Sequence, residues 1–364
     1  MLVLWGSVLS PFALKTRAML QHARVPFRFL PDEGTRLENL RIDAQIELAK
    51  RLHRVERHGG SSPLDELPLV PFLVEGARVT YDSTAIGRWL TEQHGARLVP
   101  DTALERAVAL LIDEAFDELG LYCLHHNRWV VSAREVDAHL RLAHEFRTLV
   151  PTQGLFARWF RRRQTRRLRY LFSIGPGDAF PETHGLLEEI WGAWVDAVDA
   201  LVQQRPFLLG ERFTIADASV FGQLGGNFID QTARARLRMR GPHAYAWLER
   251  IWRGEHVGSD GELSVDDALT PLLRSIDRTF VPLVLQNEAA HRRHLAAGET
   301  LFNESAFDQG RALYDGELLG RPFRAVVKTF QVRVWHELRD AWRALADDDR
   351  TALRGLLLQS ELLD

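Results

Sequence analysis

The sequence predicts three parts: a mixed α/β domain over residues 1–98, an all-helical domain over 102–252 and a helical extension over 263–364. Three observations carry this reading. Short β-rich runs alternate with helical periodicity as far as His94, and from Leu104 to Trp252 the apolar residues recur at helical spacing throughout. Between Trp252 and the next helical region lies Arg253-Gly-Glu-His-Val-Gly-Ser-Asp-Gly-Glu262, a polar run with three glycines that reads as a linker. A chain of 364 residues is long enough for two or three domains with a sizeable core.

Leu2-Val-Leu-Trp5 is a strand broken by Gly6, and Pro11 stands where a helix begins, before Leu14, Ala18, Met19 and Leu20. Val25 to Leu30 is the next strand, with Pro26 near its start. Thr35 and Glu38 have capping-box spacing for a long polar helix from Arg36 to about Arg57, closed by Gly59-Gly-Ser-Ser-Pro63. Leu69 to Val74, Gly76 and Arg78 to Tyr81 read as an antiparallel hairpin, and Ser83 to His94 as a helix, so the domain reads βαβαββα. Turn signals at Pro151, Gly175-Pro-Gly177 and Gly241-Pro242 divide the helical domain. In the extension, Phe323, Val327, Phe330, Val334, Leu338, Trp342 and Leu345 fall on one helical stripe.

Composition narrows the function. With 46 basic against 49 acidic residues the net charge is −3, which argues against a whole-chain binder of nucleic acid. The one local basic run, Arg158 to Arg169 with seven arginines in twelve residues, reads as a solvated surface. Cys123 is the only cysteine, so no internal disulfide, dithiol catalysis or cysteine-rich zinc site is available. No apolar run reaches the ~18 residues of a membrane span, and the first ten residues lack a signal peptide's basic start, so a cytoplasmic protein is expected. Only Lys15, Lys50 and Lys328 are lysine, a bias that fits a GC-rich bacterial genome.

Four segments, in this order, resemble the cytosolic glutathione transferases: Trp5-Gly-Ser-Val-Leu-Ser-Pro-Phe-Ala-Leu-Lys-Thr-Arg17, Leu69-Val-Pro71, Tyr81-Asp-Ser83 and Leu209-Gly-Glu-Arg-Phe-Thr-Ile-Ala-Asp217. The resemblance implies a thioredoxin-like N-terminal domain that binds glutathione, an all-helical domain facing it, a homodimer and a hydrophobic electrophile as second substrate. The Ser-Pro-Phe run is most similar to the serine-type tau class, with zeta as a further serine-type relative, and disfavours the thiol-transfer classes that carry cysteine there.

A glutathione thiol with an intrinsic pKa near ~8.5 needs a hydrogen-bond donor and a positive helix end to ionise at neutral pH. Ser10, at the start of the first helix beside Pro11, is placed to supply both, as a donor rather than a nucleophile. It is equally placed to act as a plain helix cap, and Ser7 is the competing hydroxyl. The resemblance further implies a cis Pro71 that frees the Val70 backbone for the cysteinyl part of glutathione, with Asp82 and Ser83 holding its γ-glutamyl end. Thr214 and Asp217 have capping-box spacing and are expected to serve folding.

Phe116, Tyr122, His126 and Trp129 lie on the helix that lines the substrate cleft in the resembled family and are the candidate pocket residues, with core packing as the other reading. Glu118 and His125 could share a helical face, but no third ligand accompanies them, and no metal is expected. Two departures stand out: the long charged second helix and the extension 263–364. They keep open a second function, a transferase-like binding or assembly module without catalysis.

Overall fold

The computed structural model describes residues 1–57, 70–135, 137–149, 159, 184–302 and 304–358. The predicted signals at Gly59–Pro63, Pro151 and Gly175–Gly177 lie outside them, as does the Arg158–Arg169 run except for position 159.

The N-terminal sheet has five strands, β1 (Leu2–Trp5), β2 (Phe27–Leu30), β3 (Val55–Glu56), β4 (Phe72–Glu75) and β5 (Arg78–Thr80), in spatial order β2-β1-β4-β5-β3. β1 is apolar at every position because both of its faces are covered, and it is paired on both edges. It runs parallel to β2 from Leu2↔Phe27 to Trp5↔Leu30 and antiparallel to β4 from Val3↔Val74 to Trp5↔Phe72. Its side chains alternate between two layers. Val3 and Trp5 pack with Ile46 and Ala49 of α2 (Arg36–Arg51), whereas Leu2 and Leu4 join Leu14 and Met19 of α1 (Pro11–His22) and Ile86 and Leu90 of α3 (Ser83–His94).

The expected helix from Arg36 to Arg57 ends at Arg51, and Val55 and Glu56 instead pair parallel with Val79 and Thr80. A two-residue strand leaves no periodicity to read, so β3 is a strand that the expected βαβαββα order lacked. Thr35 accepts the Glu38 N–H as a cap should, but the Glu38 carboxylate turns to Arg28 rather than back to Thr35.

The helical domain comprises α4 (Ala103–Ala115), α5 (Leu121–His126), α6 (Asp137–Glu145), α7 (His184–Val202), α8 (Ile215–Gly225), α9 (Gln231–Arg240) and α10 (Pro242–Trp252). π-helical turns at Phe116–Gly120 and Asn127–Val131 carry α4 into α5 and beyond, so the helix does run through Gly120, with altered spacing. α8 is buried along its whole length between α1 and α4. Gly222 makes that possible: a Cβ there would lie 2.5 Å from the Pro11 carbonyl oxygen, at the first turn of α1.

The extension is not helical throughout. α11 (Thr270–Ala296) and the short α12 (Glu304–Asp308) lead into a hairpin of β6 (Leu313–Leu318) and β7 (Arg321–Val326), followed by α13 (Thr329–Arg343) and α14 (Asp347–Leu356). Phe323 therefore lies on β7, and the helical stripe begins at Phe330. The hairpin turns on Leu319 and Gly320, both at positive φ, a two-residue loop whose Leu-Gly sequence is a weaker signal than Asn-Gly or Asp-Gly. Trp335, Leu338 and Trp342 of α13 share one core with Leu110 of α4 and Leu4 of the sheet. The glycine-rich linker is stitched down at its end, Glu211 N–H donating to the Glu262 carbonyl at 2.9 Å and Ser264 N–H to that of Leu209 at 2.7 Å. Among the described residues no helix is long and apolar enough to cross a membrane.

Candidate active site

Three segments meet at one end of the sheet: the loop from Gly6 to Ser10 after β1, Val70–Pro71 before β4, and Asp82–Ser83 after β5. Gly6 brings the first two together, since a Cβ on it would stand 2.9 Å from the Ala13 Cβ and 3.8 Å from the Pro71 Cβ. The Val70–Pro71 peptide is cis. Lys15 ties α1 to α3 through a 2.9 Å bond from Nζ to Thr84 Oγ1.

The two candidate serines differ in what they do with their protons. Ser7 is buried, its hydroxyl donates to Glu145, and its oxygen accepts the Leu9 N–H at 3.1 Å. Ser10 is half-buried and caps α1 by accepting the Ala13 N–H at 3.3 Å; no acceptor takes its proton among the described residues. Of the two, Ser10 can offer a hydrogen bond to an incoming anion. Glu145, which the sequence reading missed, also accepts the Val8 N–H at 3.2 Å and the Arg141 Nε–H at 2.8 Å. Burial pushes its carboxyl above the usual range against the lowering effect of Ser7 and Arg141. It lies 138 residues from Ser7, so no local motif could reveal it.

Asp82 stands at positive φ as the N-cap of α3, accepting the Ala85 N–H at 3.1 Å. Its other oxygen already carries two guanidinium groups, Arg57 at 2.6 Å and Arg333 of α13 at 3.1 Å. Burial alone would raise its pKa, and the Arg57 guanidinium, bonded to it, more than offsets this, so the carboxyl is held below its usual range. Glu337, one turn beyond Arg333, binds Arg57 and Arg88 at 2.9 Å each. The extension therefore reaches the very residue assigned by resemblance to the γ-glutamyl end. Neither Arg57 nor Arg333 belongs to a recognisable local pattern.

Of the predicted pocket residues, three are buried in the core, which is the other reading given for them. Phe116 is fully buried against Trp194 with ring centroids 4.5 Å apart, and the Tyr122 hydroxyl accepts a 2.9 Å bond from Gln331 of the extension. His126 is buried beside His184, and burial pushes its imidazole down to about 4. Trp129 is half-buried. None of the four lines the cleft of about 620 Å³ between α3, α4 and α13, which is walled by Arg57, Arg88, Arg106, Leu110 and Glu337.

Beneath the site, Lys15 is fully buried and pairs with Asp113 at 2.6 Å and Asp117 at 2.7 Å. Burial would lower its pKa, and the two aspartates more than reverse that. The oxygens of Asp113, Glu114 and Asp117 lie within 4.8 Å of one another, with the Lys15 ammonium on two of them. Burial and the neighbouring carboxylates raise Glu114, holding it toward its neutral acid form. Cys123 is buried, its thiol donates to the Leu187 carbonyl at 3.8 Å, and burial pushes its pKa up to about 12. It carries no reactive thiolate.

Thr214 and Asp217 form the capping box of α8, with the carboxylate doing most of the bonding. Asp217 accepts the Thr214 N–H and hydroxyl at 2.8 Å each and the Leu208 N–H at 2.7 Å. The neighbouring Leu209 and Phe213 are fully buried.

A thioredoxin-like sheet joined to an all-helical domain, with a serine-capped first helix beside a cis-proline strand, defines the glutathione transferase fold. Residues 9–93 match the family description "Glutathione S-transferase, N-terminal domain" and residues 185–250 match "Glutathione S-transferase, C-terminal domain", so the chain carries both glutathione S-transferase domains in the family's order. Among similar solved structures is a glutathione S-transferase of Ceriporiopsis subvermispora in complex with glutathione, 16% identical with a TM-score of 0.45, covering 71% of this chain and 99% of its own. Another is the beta-etherase LigF of Sphingobium sp. strain SYK-6, 17% identical with a TM-score of 0.43, covering 69% and 94%. A third is a glutathione S-transferase of Methylobacillus flagellatus with glutathione bound, 14% identical with a TM-score of 0.38, covering 68% and 93%. No protein of curated function matches the sequence.

Proposed function

We propose that this protein is a serine-type glutathione transferase that activates the glutathione thiol for attack on a hydrophobic electrophile, by conjugation, isomerisation or ether cleavage. The observation that carries this reading is Ser10, whose proton is uncommitted at the N-terminus of α1 beside the cis Val70–Pro71 peptide. A sulfur placed there would accept the Ser10 O–H and face the positive end of the helix. The Val70 backbone would pair with the cysteinyl unit as an added strand, Ser83 would take the γ-glutamyl carboxylate at the start of α3, and Asp82 the amino group. The protein has no other available thiolate, since Cys123 is buried and protonated, so the sulfur arrives with glutathione. A cytoplasmic homodimer belongs to this reading, and sedimentation velocity checks the dimer.

The test is glutathione titration by calorimetry together with Ser10→Ala. One good thiolate hydrogen bond is worth about 1.5–3 kcal/mol, so turnover with a reactive aryl halide falls by roughly ten-fold or more. Unchanged turnover refutes the role of Ser10.

A second reading is a binding or assembly module without catalysis. What favours it is Asp82, already held by Arg57 and by Arg333 of the extension where an ammonium group would sit. Absence of binding at several millimolar glutathione in both the native protein and Arg333→Ala supports this reading over the enzyme. Binding by both supports the enzyme.

A further inference from the structure

The loop that places Ser10 is held from the helical domain at three consecutive residues. Glu145 accepts the Ser7 hydroxyl and the Val8 N–H, and Arg128 Nη1 donates to the Leu9 carbonyl at 2.6 Å. Ser10 follows immediately. Arg128 is itself buried and paired with Asp230 at 2.9 Å, so both clamps are rigid groups rather than surface side chains. Burying a carboxylate is costly, yet α6 ends by sending Glu145 inward with its side chain fully covered. What that cost secures is the path of the loop. The Ser10 hydroxyl makes one long bond to its own helix, at 3.3 Å, while the Ser10 N–H donates to the Ser7 carbonyl at 2.9 Å, so the direction of the side chain depends on the preceding residues.

We infer that Glu145 is a positioning residue that, through Ser7 and Val8, aims the Ser10 hydroxyl at the sulfur of bound glutathione. The inference rests on the reading of Ser10 as the thiolate donor. Glu145 touches no reacting atom. Its negative charge is balanced by Arg141, whose Nη2 also binds Asp32 at 2.8 Å in the turn after β2, so the carboxylate does not oppose a thiolate nearby. Positioning of this kind acts on ionisation and rate and leaves ground-state binding largely unchanged, because the groups assigned to the two ends of glutathione lie on other segments.

The experiment measures the pKa of the glutathione thiol bound to the full-length protein, by the ultraviolet absorbance of the thiolate, in Ser10→Ala, Glu145→Ala, Glu145→Gln, Ser7→Ala and the double variant Ser10→Ala/Glu145→Ala. Glu145→Ala is expected to raise the bound thiol pKa by about one unit, a tenfold fall in the thiolate-to-thiol ratio, with the dissociation constant for glutathione changed by less than about twofold when measured well below the bound thiol pKa, where the thiol form binds. Glu145→Gln keeps an acceptor for the Ser7 hydroxyl and recovers most of this. Ser7→Ala shifts the pKa in the same direction by a smaller amount and carries the test if Glu145→Ala does not fold. The double variant is no worse than Ser10→Ala alone, because both changes remove the same hydrogen bond. Additive effects, or an unchanged thiol pKa in Glu145→Ala and Ser7→Ala, overturn the inference while leaving Ser10 in place. An unchanged pKa in Ser10→Ala overturns the reading of Ser10, and the inference with it.

Discussion

Replacing Lys15 by methionine keeps the unbranched stem of the side chain as far as Cε and removes its charge from a fully buried ion cluster. The ammonium has no exposure to solvent, with Asp113 at 2.6 Å, Asp117 at 2.7 Å and Thr84 Oγ1 at 2.9 Å. Taking one partner out of a buried pair leaves an uncompensated charge and costs about 3–5 kcal/mol. Here two aspartates lose the same partner, and Glu114 stands within 4.8 Å of both, which puts the cost at the upper end of that range. Some is recovered because the carboxylates can take up protons. The pKa values of Asp113 and Glu114 are already raised by burial, and an acid whose folded pKa exceeds its unfolded one binds more protons when folded. Its contribution is therefore greatest in acid and is lost as pH rises. Urea unfolding followed by circular dichroism should show the deficit largest above neutral pH and shrinking toward pH 5. Asp113→Asn added to Lys15→Met should restore part of it. A loss below about 1 kcal/mol at pH 8, or a deficit that grows in acid, would refute the charge argument.

Gly222→Ala, by contrast, is a test of distance. The new Cβ would meet the Pro11 carbonyl at 2.5 Å, so α1 and α8 must separate, at a cost of about 1–3 kcal/mol in thermal or urea unfolding. Asp217→Ala leaves the Thr214 N–H, the Thr214 hydroxyl and the Leu208 N–H without their acceptor, and should lower stability by at least about 2 kcal/mol while activity per folded molecule is unchanged. Burial pushes His256, bonded through Nε2 to the Ala18 carbonyl at 3.0 Å, down to about 4. The unfolded chain takes up this proton near pH 6.5 and the folded one only near 4, so stability falls with acid across that window, by up to about 1.4 kcal/mol per pH unit for this residue. His256→Gln, which can keep the Ala18 bond, should flatten that slope in pH-dependent thermal melts.

Much of the fold was legible because local signals and tertiary demands agree. Leu2 to Trp5 is apolar at every position because both edges and both faces are covered, and Pro11 after Ser10 marks a helix start that the structure uses. What stayed hidden depends on partners far along the chain or on elements too short to be periodic. β3 is two residues long, and the hairpin of the extension turns on Leu-Gly. Phe116, Tyr122 and His126 were grouped correctly on one helix, but the composition of a helix face does not say what packs on it. Here Trp194, Gln331 and His184 do. For the same reason Glu145 and Arg333 entered the site unannounced, each reaching it from more than a hundred residues away.

The shared core of the extension bears on how the chain is made. Trp335, Leu338 and Trp342 lie in the same packed interior as Leu110, and Gln331 binds Tyr122, so α4 and α5 cannot finish packing until α13 has left the ribosome. At about 5–20 residues per second, synthesis of residues 203–345 takes on the order of ten seconds. For that interval the helical domain presents to solvent an apolar flank that only the segment still being synthesised can cover. A stop codon placed in the glycine-rich run after Trp252 would make that exposure permanent, yielding a chain that contains both matched family segments and yet aggregates.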